Sequence, residues 1–186
     1  MISCLPDFQS KLYARLNFIL SQVANRFLME EYTSGRVTIA MASAWVERWV
    51  AMGRAQFTEF NCGQPFQATI LYECRDNAVF FGVYDRRLRD AVLSQWKINA
   101  NSMAVLTLCN GDSAIQKHLQ DSWKVLDLLG GGWDDYEALS KIHIAFHDMV
   151  AQAKKINERQ GIPHEWNPPP VPKTPKEPPM RTPMLV

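Results

Sequence analysis

Nine of the eleven prolines in this chain fall within its last 27 residues, from Gln160 to Val186. Proline fixes φ and has no backbone N–H to donate, so a segment this rich in it can neither continue a helix nor lie inside a sheet. The run Trp166-Asn-Pro-Pro-Pro-Val-Pro-Lys-Thr-Pro175 favours an extended polyproline II conformation with a solvated backbone. The capacity to form a core therefore belongs to the residues before it. About 160 residues suffice for one domain that buries roughly 70% of its unfolded surface, without disulfide or metal. The expected organisation is a single globular domain over 1–160 and a Pro-rich disordered tail over 161–186.

Charge narrows the range of partners. Twenty basic and nineteen acidic residues give a net charge of +1, and their dispersal lacks the basic footprint that duplex nucleic acid requires, so no nucleic-acid partner is expected. The cluster Asp85-Arg-Arg-Leu-Arg-Asp90 is flanked by its own acids and reads as a solvated helix start. Cys4, Cys62, Cys74 and Cys109 are widely spaced with no CxxC pair, which suits reduced thiols in the cytoplasm or nucleus. The longest uncharged apolar run, Val37 to Val46, is too short to span a bilayer, so no membrane span is expected. Phe8 to Met29 holds Lys11, Arg15 and Arg26 without an acid, loosely like a mitochondrial presequence; an ordinary first helix is the preferred reading.

Apolar periodicity predicts an α+β fold, mainly helical. Phe8, Leu12, Leu16, Ile19, Val23 and Phe27 recur at spacings of three and four, as on one face of a long helix after Pro6-Asp7. Val37 to Met52 is apolar on nearly every side and suits a helix at the centre of a bundle or under a partner. Phe66 to Glu73 alternates apolar and polar residues, and Ala78 to Tyr84 is a second β-like run, so the two are expected to form an antiparallel hairpin. Arg86 to Lys97 has Leu88, Val92 and Trp96 on one helical face, and Met103 to Cys109 reads as a third strand or a buried helical turn, its length and Val/Thr content favouring the strand. A helix with Ile115, Leu119, Leu126 and Leu129 ends at Gly130-Gly-Gly132. The last helix starts with Asp134 three residues before Glu137, a capping-box spacing, and carries Leu139, Ile142, Phe146 and Ile156.

Chemistry-bearing constellations are sparse. His143 and His147 stand four apart, hence on one helical face, and Asp148 adds a carboxylate, so the three are the candidate metal ligands. The Glu beside the first His that a metalloprotease uses as base is absent. A His-Asp dipeptide also resembles that of HD-type metal-dependent phosphohydrolases, whose further His and Asp cannot be placed here. No GxSxG occurs, and Asp134-Asp135 would repel a phosphate from the Gly-rich turn. Gly131-Gly-Trp-Asp-Asp135 resembles the Gly-Gly-Trp-Asp stretch in the second homology region of Bcl-2-like apoptosis regulators. The Asn-Trp-Gly-Arg signature found upstream in that family is absent, and the expected hairpin does not suit its all-helical fold, so no residue role is carried over. Trp133, just before the cap, is expected to pack back on its own helix.

Six tryptophans are many for this length, and tryptophan is enriched at interfaces. Trp45, Trp96 and Trp123 are assigned to the core. The candidate partner-binding residues are Trp45, Trp49 and Met52 on one aromatic and Met-rich face, with Trp166, Pro169 and Pro172 in the tail as a second contact. Three PxxP repeats lack the basic residue of SH3 ligands, while Thr174-Pro175 and Thr182-Pro183 fit proline-directed phosphorylation. The resulting expectation is a non-enzymatic intracellular adaptor, assembly subunit or antagonist that binds a protein partner, with no cofactor and with homo-oligomerisation left open. The alternative is a metal-dependent hydrolase with ligands on the last helix.

Overall fold

The computed structural model describes residues 4–38, 41, 63–82, 85–104, 110–163 and 166–175. Five helices run through them: α1 (Pro6–Thr33), α2 (Gln64–Glu73), α3 (Arg86–Ala104), α4 (Asp112–Leu129) and α5 (Trp133–Arg159). No strand occurs among the described residues, so the fold is all-helical rather than α+β. The first helix is the hub. It touches each of the other four, while α2 packs on α3, α3 on α4 and α4 on α5.

The apolar stripe of α1 behaves as its spacing predicts: Leu12, Leu16, Ile19, Val23 and Phe27 are all buried. They meet Leu93 and Trp96 of α3, Ile115, Leu119 and Leu126 of α4, and Leu139 and Phe146 of α5 in one continuous core. The α4–α5 turn also follows from sequence. Gly130 adopts the left-handed conformation (φ 69°, ψ 54°), which costs a side-chain-bearing residue energy, and Gly131 N–H closes the helix on Leu126 O at 2.8 Å. The start of α5 differs in register. Its cap is Gly132, whose N–H donates to the Asp135 carboxylate at 2.7 Å, and Trp133 is the first helical residue and about half exposed (48%) instead of packing back.

The expected hairpin is where the structure departs most. Residues 66–73 lie within α2, which begins at Gln64 with Pro65 in its first turn, a position where proline's missing N–H has no helical partner to lose. The alternation was ambiguous because α2 buries polar residues: Gln64, Gln67, Ala68, Ile70 and Leu71 are the buried set. Those positions step by three and four, but two of the five are glutamines, which hides the helical period from a hydrophobicity reading. Gln67 donates its side-chain amide to Ser21 O of α1 at 3.1 Å, and the Thr69 hydroxyl bonds back to Pro65 O at 2.9 Å.

The second expected strand is a turn and an apolar plug. Val79 N–H donates to the Glu31 carboxylate at 2.8 Å, in place of a ladder partner. The Phe80 ring stacks on Phe27 with centroids 5.1 Å apart. Residues 83 and 84 lie outside the described residues. Of the expected third strand, Met103 and Ala104 are the last two residues of α3, with Met103 buried, while 105–109 lie outside the described residues. The charged start of α3 is more than a solvated end. Arg86 and Arg89 both reach Asp76 in the turn after α2, at 2.7 and 3.1 Å, and so clip α3 to α2.

Candidate functional site

The two histidines of the metal expectation do converge, but on an amide. Trp123 of α4 donates its indole N–H to His143 Nδ1 at 3.2 Å. That bond fixes the tautomer: Nε2 carries the proton and donates to Gln116 Oε1 at 3.1 Å. His147 Nε2 reaches the same oxygen at 3.1 Å. His143 is 0% exposed, so burial, helped by nearby His147, pushes its pKa down to about 4. Burial also lowers that of His147. His143 thus has no lone pair free for a metal, and Asp148 is exposed on the helix surface. Among the described residues, no three His, Cys, Asp or Glu side chains are arranged to hold a metal ion. The Trp123–His143–Gln116–His147 chain is a polar cross-link between α4 and α5.

Tyr13, His118 and two cysteines are also held inside the bundle. Asn110 donates to the Tyr13 hydroxyl at 3.0 Å, and that hydroxyl lies 3.0 Å from His118 Nδ1. Burial raises the Tyr13 pKa to about 12 and lowers that of His118. The buried thiols of Cys4 and Cys74 are unpaired, and burial pushes them up to about 12 and about 11. Thiols in that range are not nucleophilic at neutral pH.

The tail residues lie against the bundle. Helix α5 ends at Arg159 with Gln160 as its cap. Trp166 then returns as a half-buried ring 6.2 Å from Phe146, Lys154 Nζ donates to Asn167 Oδ1 at 3.0 Å, and Val171 packs on the core. Pro172 and Pro175 border a cleft with Trp123, Lys124 and Asp127 of α4. Of the tail positions expected to bind partners, Trp166 and Pro172 are partly covered by the chain's own helices, and Pro169 is exposed. Trp45, Trp49 and Met52 lie outside the described residues.

An unanticipated surface sits on the seam between α1 and α5. The helices run antiparallel there: Arg26 pairs with Asp135 at one end, and Phe8 and Ala145 share a cleft at the other. Small side chains at Ala14 and Ala138 leave a groove of about 480 Å³, bordered by Arg15, Phe18, Ile19, Lys141 and Ile142. A smaller cleft of about 130 Å³ continues it past Lys11, Leu12 and Ala145. Phe18 is 65% exposed, large for an aromatic ring beside an apolar groove. One sequence signal was available: Phe18 sits next to Ile19, off the buried stripe, so the apolar arc of α1 is wider than one contact needs.

Compared with protein-family models, curated proteins and solved structures, the chain matches none. The likeness of Gly131–Asp135 to Bcl-2-like regulators stays confined to those residues, which here cap α5. No helix among the described residues is long and apolar enough to cross a membrane.

Proposed function

We propose that this chain is a non-enzymatic protein-interaction module of the cytoplasm or nucleus that receives its partner in the α1–α5 groove. The observation that carries the reading is the exposed Phe18 ring at the edge of an open apolar groove floored by alanines. Large aromatic side chains beside well-formed concavities are the usual anchors of protein interfaces. Among the described residues, the buried thiols of Cys4 and Cys74 and the internally bonded ring of His143 add support, because burial and hydrogen bonding withdraw these groups from nucleophilic and acid–base chemistry. The Trp166–Pro175 segment is assigned a structural part, packing on α4 and α5 rather than lining the α1–α5 groove.

The test is quantitative affinity purification of the full chain and of Phe18→Glu from cells. A partner recovered in stoichiometric amount with the native chain and lost with Phe18→Glu, while the two have equal helical circular dichroism, is the expected result. Identical recovery with both chains would overturn the groove as the docking surface.

A further inference from the structure

We infer that the occupant of the α1–α5 groove is a short amphipathic helix of a partner protein that flanks its apolar face with acidic residues. The inference rests on the docking role proposed above and specifies the chemistry of the partner.

Secondary structure of the occupant follows from what the groove lacks. Both walls are helices whose backbone groups are bonded internally, so no sheet edge is available for an added strand. Side chains must make the contact. From Phe8 to Phe18 the α1 wall rises about 15 Å at 1.5 Å per residue, which matches a helix of about three turns presenting anchors at i, i+4 and i+7.

Charge specifies the flank. Among the described residues, every ionisable side chain that borders the two clefts is cationic: Lys11, Arg15 and Lys141. Lys141 is shared with Glu137 at 2.8 Å, but Lys11 and Arg15 form no ion pair among the described residues. Both are exposed beside the apolar floor. Such an unneutralised rim attracts carboxylates and repels a basic helix. A second copy of this chain fits less well, because self-docking would bring its own Lys11 and Arg15 rim against an identical one if the contact were two-fold symmetric.

The experiment uses the full chain and two fluorescein-labelled, end-capped twelve-residue helical peptides with the same leucine stripe. One carries Glu at its flanking positions and the other Lys. Anisotropy titrations at 50 mM salt are expected to show the acidic peptide binding at least about tenfold tighter, equivalent to about 1.4 kcal/mol. The preference should shrink at 300 mM salt, where exposed charges are screened within a few ångströms. Arg15→Glu with Lys141→Glu should reverse the preference, and Phe18→Ala should weaken both peptides. Equal affinity for the two peptides, tighter binding of the basic one, or a preference untouched by the charge reversal would overturn the inference. So would a dimer in light scattering that Phe18→Glu dissociates, since a second copy would then be the occupant. A partner lost with Phe18→Glu in cells, alongside a failed acidic peptide, would sink the acidic-helix chemistry and leave the docking role standing.

Discussion

Acidification should expose the buried imidazole of His143. The ring is 0% exposed, accepts from Trp123 on Nδ1 and donates to Gln116 from Nε2. Protonating Nδ1 would set a buried N–H against the indole N–H. The folded-state pKa near 4 lies below the value of about 6.5 in the unfolded chain. The unfolded state therefore binds more protons between those limits, and stability falls as pH drops through that window. The contribution is intact above about pH 6.5, costs about 2 kcal/mol by pH 5 and about 3 kcal/mol by pH 4. Against a typical domain stability of about 5–15 kcal/mol, that loss is large. His118 and His147 are shifted down as well and act in the same direction, so a difference experiment is needed. Urea unfolding from pH 7 to pH 4.5 should give a steeper loss for the native chain than for His143→Gln, by roughly 2 kcal/mol. Parallel pH profiles, or an NMR titration placing the His143 imidazole at or above pH 6, would refute the buried cross-link between α4 and α5.

Three further outcomes follow from the packing. Ending the chain at Gln160, or replacing Trp166 with Ala, should uncover Phe146 and cost about 1–3 kcal/mol in thermal or urea unfolding; unchanged stability would mean the returning segment contributes nothing. Glu31 is fully buried and holds Arg36 in two bonds of 2.9 and 3.0 Å as well as Val79 N–H. Glu31→Ala should therefore cost about 1.5–3 kcal/mol, and a urea midpoint equal to the native one would contradict that junction. Iodoacetamide at pH 8 should leave Cys4 and Cys74 unlabelled in the folded chain, read by peptide mass mapping, and label both in urea.

The parts of the fold legible in the sequence are those where burial and hydrophobicity coincide. The stripes of α1, α4 and α5 are Leu, Ile, Val and Phe at helical spacing, and Gly130 marks a backbone geometry that other residues resist. Legibility fails where burial and hydrophobicity separate. Gln64 and Gln67 are both buried in α2, Gln67 through a bond to Ser21 O of α1, so polar residues occupy the helix's inner face and the alternation looks β-like. Phe80 and Val79 have strand-like chemistry but serve as a ring contact to α1 and a donor to Glu31. The histidines were placed correctly on one face of α5, yet their partners, Trp123 and Gln116, lie 20 and 27 residues away on α4. No spacing rule within α5 reveals that both ring nitrogens of His143 and Nε2 of His147 are already taken. The groove depends on two small alanines facing each other across separate helices, a pairing that only the tertiary fold creates.

Amide chemical-shift mapping of the full chain with the acidic helical peptide tests the docking account most directly. The account predicts perturbations concentrated at residues 8–19 of α1 and 138–145 of α5, abolished by Phe18→Glu. Perturbations centred on the α4 face beside Trp123 and Pro172, or none at saturating peptide, would contradict it.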